Sequence, residues 1–255
     1  MLKWATIGLG LCFVVLVCAG YVKRANWIND KIAMLSAPAS LIYAKDNAAL
    51  SPKGSKPRVV LIGDSRIAQW PGAVLPSTFE IINRGIGGET VAQLAQRFNA
   101  DAIALDPDVI VIQAGVNDLV AASLMEPDKG REVARKTAET LRQLAGQGTS
   151  ADLRVLISTI IVPAKPDLFR RPVWSGSLSD LVADVNADLK ASRWPEGASL
   201  IDLSSVLVTN DGKTLAEEFR TDTLHLNTAG YQRLTEVLIS RLQSALDSEP
   251  RNRTK

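Results

Sequence analysis

Five short apolar runs, interleaved with stretches of helical spacing, constrain this chain more than any other feature. Arg58–Ile62 (RVVLI), Phe79–Asn83 (FEIIN), Asp108–Gln113 (DVIVIQ), Leu153–Ile161 (LRVLISTII) and Ser199–Leu203 (SLIDL) read as strands. Thr90–Leu105, Arg131–Ala145, Ser177–Leu189 and Asn227–Leu246 carry apolar residues at helical intervals, such as Val91, Leu94, Ala95 and Phe98 in the first of them. Strands that are apolar throughout are buried on both faces, and their alternation with helices predicts a parallel sheet covered on both sides. Such sheets hold ligands outside the carboxyl ends of their strands. Three polar, glycine-bearing segments fall at that edge: Gly63-Asp64-Ser65 after the first strand, Asn83 to Glu89 after the second, and Gly115-Val116-Asn117-Asp118 after the third.

Composition narrows the chemistry. Twenty-nine basic residues nearly balance 27 acidic ones, for a net charge of +2, which gives no reason to expect a nucleic-acid partner. His225 is the one histidine, and Cys12 and Cys18 both precede the first predicted strand. The folded part therefore has no thiol nucleophile and no His/Cys set for zinc. No G-x-x-x-x-G-K-[ST] is present. The run Gly85-Ile86-Gly87-Gly88-Glu89-Thr90 ends on Thr90 where a dinucleotide fingerprint needs glycine.

The N-terminus differs in kind. Trp4–Val22 is 19 residues without a charge, flanked by Lys3 on one side and Lys23 and Arg24 on the other. As a helix it is about 28 Å long, close to the hydrocarbon thickness of a bilayer. Its length favours an uncleaved transmembrane anchor over a signal peptide, whose apolar run is shorter. The expected organisation is an anchor over 1–24, a tether and basic linker over 25–57, a catalytic domain over 58–247 and a short flexible tail over 248–255. An N-terminal anchor and a thiol-free domain place the domain outside the membrane, in the periplasm or at the surface of a bacterial envelope.

Three motifs carry chemistry. Ser65 ends a buried strand, where a rigid sheet edge would hold a nucleophile; serine is also an ordinary turn residue there. In Asp222-Thr223-Leu224-His225, residues three apart share a face, so Asp222 would orient one ring nitrogen of His225 and leave the other free as a base. The alternative is that Asp222 caps a helix. Asn117 supplies an amide of the kind that stabilises an oxyanion. The glycines of 85–88 either make a tight turn or present backbone N–H groups to the same charge.

The order Gly63-Asp64-Ser65, Asn83…Gly88, Gly115-Val116-Asn117-Asp118 and Asp222-Thr223-Leu224-His225 resembles the four blocks of the SGNH/GDSL hydrolases over roughly residues 58–245. Gly85–Thr90 and His225-Leu226…Ala229-Gly230-Tyr231 are most similar to the platelet-activating-factor acetylhydrolase type. The resemblance implies a flavodoxin-like three-layer α/β/α sandwich with a five-stranded parallel sheet in the order 2-1-3-4-5. It implies Ser65 as nucleophile, His225 and Asp222 as the rest of the triad, and the N–H groups of Ser65 and Gly88 with the Asn117 amide as oxyanion hole. No metal or organic cofactor is implied. Glu89 stands where the family usually has Asp, Arg66 where an apolar residue is frequent, and Val116 where a small residue is usual. A local structural role is expected for Arg66.

The expected substrate is a small acyl ester, O-acetyl on a carbohydrate. The loop from Val162 to Gly176 is polar, with Lys165, Asp167, Arg170 and Arg171, and offers no apolar pocket for a long chain. Trp70, Trp174 and Trp194 are candidate wall residues. A lysophospholipase or thioesterase, and a catalytically silent binding module on the same fold, are the alternatives.

Overall fold

The computed structural model describes residues 2–166 and 176–247. Its centre is a five-stranded parallel sheet, β1 (Arg58–Gly63), β2 (Glu80–Gly85), β3 (Val109–Gln113), β4 (Arg154–Ser158) and β5 (Ala198–Ile201), in the spatial order β2-β1-β3-β4-β5. The expected α/β architecture and strand order are both present. In register, Val60 lies beside Ile82 and Ile110, and Ile62 beside Arg84 and Ile112.

Alternate strand residues feed two cores. Val60, Ile62, Ile110, Ile112, Val155 and Ile157 pack with α4 (Val91–Asp101), α5 (Val116–Ala122), α6 (Pro127–Ser150) and α7 (Ser177–Ala191). Val59, Leu61, Val109, Val111 and Leu156 pack with α3 (Ser65–Ala68) and α8 (Thr228–Asp247) on the other face. Every residue of β1 and β3 is buried, which is why both read as unbroken apolar runs.

Boundaries differ from the sequence expectation where side chains take over from the ladder. β4 stops at Ser158, not Ile161, because the Asn186 side chain accepts from Ile160 N and donates to Ile160 O, both at 2.7 Å. Asn117 and Asp118 are the second and third residues of α5, a helix absent from the helical stretches read in the sequence.

The N-terminal helix α1 (Leu2–Ala33) runs past residue 24 without a break, since no Gly or Pro interrupts the sequence from Tyr21 to Ala37. Pro38 follows, and the short helix α2 (Ala44–Ala48) comes before the sheet. Residues 34–57 lie against the domain: Ala39 N donates to Gln96 Oε1, Gln93 Nε2 to Pro38 O, and Asn47 Nδ2 to Asp101 Oδ1. Among the described residues no helix is long and apolar enough to cross a membrane. Most side chains of the expected span Trp4–Val22 lie outside the described residues, as do 248–255. Val15, Val17, Tyr21 and Val22 on α1 are exposed.

Candidate active site

The carboxyl ends of β1, β2 and β3 gather the polar segments as the strand pattern predicts. Gly63 ends β1 so close to β3 that a Cβ there would lie 1.9 Å from the Gln113 carbonyl oxygen. Only glycine lets the chain turn at this point. Asp64 then caps α3 by accepting from Arg66 N at 2.9 Å, and Ser65 opens the helix, half-buried.

Ser65 meets a loop from 160 residues further along the chain: its Oγ lies 3.1 Å from His225 Nε2. His225 Nδ1 lies 2.9 Å from Asp222 Oδ2. Asp222 Oδ1 accepts the backbone N–H of Leu224 at 2.7 Å and of His225 at 2.9 Å. Burial pushes the Asp222 carboxyl up, but the ring N–H of His225 and these two backbone donors outweigh it and bring it down to about 2. It is therefore an anion that holds Nδ1 as the protonated ring nitrogen and leaves Nε2 free to accept from Ser65.

The loop carrying the pair is pinned to its surroundings. Thr221 N donates to His225 O, and Ala164 N to Thr223 O. Arg66 Nε donates to Leu224 O at 2.9 Å and Nη1 to Ile161 O at 2.8 Å, while Tyr231 Oη donates to Arg66 O. Arg66 is 1% exposed. It holds the His225 loop beside Ser65 and is closed to any anionic substrate, in line with the structural role expected.

Gly88 lies just before α4 and Asn117 in the first turn of α5. Gly88 has φ +78°, a left-handed backbone that glycine adopts without strain. Among the described residues, neither the Gly88 nor the Ser65 backbone N–H has a hydrogen-bond acceptor. Asn117 Nδ2 donates one hydrogen to Glu89 O at 3.0 Å, which fixes the amide plane and leaves its second hydrogen available. Asp118 accepts from Val91 N through both oxygens, at 3.2 and 3.0 Å. These bonds cross-brace the first turns of α4 and α5.

Behind them lies a buried ionic group. Arg97 donates to both Glu89 oxygens, at 2.6 and 2.5 Å, to Asp101 Oδ2 at 3.0 Å and to Arg84 O at 2.8 Å. Burial pushes the Glu89 carboxyl up, and Arg97 works against that shift. Arg97 was not among the residues singled out from the sequence, and Asp118 entered only as the last residue of the Gly115–Asp118 segment, with no role of its own. A charged residue on the buried face of an otherwise apolar helix was the one available signal.

Two of the three candidate tryptophan walls, Trp70 and Trp194, are corrected. Trp70 is 4% exposed, donates to Thr235 Oγ1 at 3.0 Å and stacks near Tyr231, so it is core. Trp194 precedes β5, at the amino edge of the sheet and away from Ser65, and packs against the larger core. Trp174 lies outside the described residues, as does 167–175 of the polar loop with Asp167, Arg170 and Arg171. No cluster able to hold a metal ion occurs among the described residues.

The GDSL-like lipase/acylhydrolase family matches residues 54–233. No curated protein matches the chain. A GDSL-like lipase from Bacteroides thetaiotaomicron is similar, with a TM-score of 0.63 and 26% identity over 80% of this chain and 97% of that one. A Streptococcus pneumonia protein described as a platelet activating factor superposes with a TM-score of 0.65 at 21% identity, over 88% of this chain and 99% of that one. An acetyl xylan esterase superposes with a TM-score of 0.52 at 20% identity, over 72% and 99%. The last two identities establish a shared fold.

Proposed function

The chain belongs to the GDSL-like lipase/acylhydrolase family and is a serine esterase of that family, and from that premise we propose that Ser65, His225 and Asp222 form its catalytic triad. The observation that carries this reading is the continuous hydrogen-bonded chain from Ser65 Oγ through His225 to the Asp222 anion, at 3.1 and 2.9 Å. His225 Nε2 takes the Ser65 proton as Oγ attacks the ester carbonyl carbon. The carbonyl oxygen becomes an oxyanion and is held by the N–H groups of Ser65 and Gly88 and the free amide hydrogen of Asn117. The tetrahedral centre collapses, and His225 returns the proton to the departing alcohol. Water then attacks the acyl-serine by the same steps and releases the acid.

The substrate proposed is a small acyl ester, O-acetyl on a carbohydrate. It is supported by the buried Arg66, which leaves no cationic handle for a lipid headgroup at that position, and by the likeness in fold to an acetyl xylan esterase. We also propose that α1 anchors the domain to the outer face of a membrane, supported by the uncharged run Trp4–Val22 and the exposed Val15, Val17, Tyr21 and Val22. Retention in the pellet after carbonate extraction checks it.

The deciding experiment measures the full chain in detergent against p-nitrophenyl esters from acetyl to octanoyl. The expected result is hydrolysis with kcat/KM falling as the acyl chain lengthens, and a loss of several orders of magnitude in kcat for Ser65→Ala. Activity of Ser65→Ala within a few-fold of the parent removes Ser65 from the role. A rise toward octanoyl replaces the carbohydrate reading with a lysophospholipase.

A further inference from the structure

Residues before the family-matched part of the chain reach the candidate site. The last turns of α1 pack on α5, the helix that carries Asn117, and Trp27 joins the core beneath it. About two turns beyond Trp27, the half-buried Met34 stands directly over Gly88: a Cβ built on Gly88 would lie 3.2 Å from the Met34 methyl carbon. The following residues hold that position. Tyr43 Oη donates to Gly85 O at 2.6 Å, at the start of the same glycine turn. Arg84 lies over the Tyr43 ring, 4.8 Å from its centroid, and its Nε donates to Asn47 Oδ1 at 2.8 Å.

The chemistry then decides which part of the substrate Met34 meets. The tetrahedral carbon bears Ser65 Oγ, the oxyanion, the leaving oxygen and the acyl substituent. The leaving oxygen must turn toward His225 Nε2, which protonates it; His225 sits in the loop just before α8 and 3.1 Å from Ser65 Oγ. The oxyanion faces Gly88 and Asn117. The acyl substituent takes the direction left over, away from His225, and the apolar side chain that lies against the Gly88 end of the oxyanion donors is the flexible thioether of Met34.

We propose that Met34 bounds the acyl subsite and limits the length of the acyl group, so that the N-terminal segment is a specificity element of the esterase and not a passive tether. This rests on the triad reading above. It also explains how a short acyl group is selected without a deep pocket: the wall comes from outside the hydrolase domain.

The test compares full-length parent, Met34→Ala and Met34→Trp on p-nitrophenyl acetate and hexanoate, with the leaving group held constant. The readout is the ratio of kcat/KM for hexanoate over acetate, which a general loss of folded enzyme does not move. Met34→Ala is expected to raise that ratio by about tenfold or more, since each added methylene that gains apolar contact is worth several-fold. Met34→Trp is expected to lower it. A ratio within about twofold of the parent in both variants, with the parent active, overturns the assignment of Met34 while the triad reading stands. A parent inactive on every ester overturns the triad reading, and the acyl subsite with it.

Discussion

Asp222 and Asp118 lie at the same edge of one sheet, and their surroundings drive them in opposite directions. Asp222 is about one-third exposed, accepts three N–H donors and is brought down to about 2. Asp118 is 3% exposed. Burial raises its carboxyl from 3.8 to about 7, against the N–H bonds it accepts, and the nearby Asp64 and Glu89 add to the rise. One carboxylate is held charged beside the His225 ring. The other is a brace, worth more for the hydrogen bonds it accepts than for its charge. An acid at a catalytic edge is not by that fact part of the proton path; the donors that face it decide.

The largest effect expected from this contrast is on Asp222. Asp222→Asn keeps an oxygen for the Leu224 and His225 backbone donors but turns an amide N–H at His225 Nδ1, favouring the wrong tautomer. A loss of about 10⁴ in kcat is expected. Stopped-flow or steady-state ester hydrolysis reads it, and a loss below tenfold breaks the contrast, since Asp222 would then be a loop brace like Asp118.

Asn117→Ala removes the amide proposed as an oxyanion donor and is expected to lower kcat by about 10²–10³ with KM nearly unchanged, because the bond tightens in the transition state. A change confined to KM would make Asn117 a substrate-binding group.

The smallest effect on activity belongs to Asp118→Asn, expected to cost less than about tenfold in kcat, because the new amide oxygen still accepts from Val91 N. Its signature is in stability. The folded chain holds the Asp118 proton that the unfolded chain releases above 3.8, so the stabilising contribution is full below that pH and is lost as pH rises through about 7. Asp222 has the reverse sign: its contribution is present above 3.8 and is lost only as pH falls toward 2. Thermal unfolding at pH 5 and pH 8 should therefore show the Tm of Asp118→Asn gaining on the parent as pH rises. Parallel Tm values at the two pH values would mean that Asp118 is ionised in the folded protein and no different in kind from Asp222.

Much of this protein was legible in its sequence because the governing signals are local. An apolar strand buried on both faces is a contiguous run, and a helix has its own period, so β1 to β5, α4, α6, α7 and α8 were found, with ends displaced by a few residues. The Asp222–His225 pair was legible for the same reason, since three residues of one loop bring it together. Which other groups those residues would meet was not a local matter. The 3.1 Å approach of Ser65 to His225 spans 160 residues and depends on Arg66 gripping the Leu224 carbonyl, a contact with no sequence period. Trp70 looked like a loop residue until the α8 layer covered it. The docking of residues 34–57 on the glycine turn follows from Tyr43 and Asn47, whose partners Gly85 and Asp101 lie 42 and 54 residues away. Pattern specifies which residues share an element or a face; only the packed chain decides which faces meet, because contacts between elements depend on the summed geometry of everything folded between them.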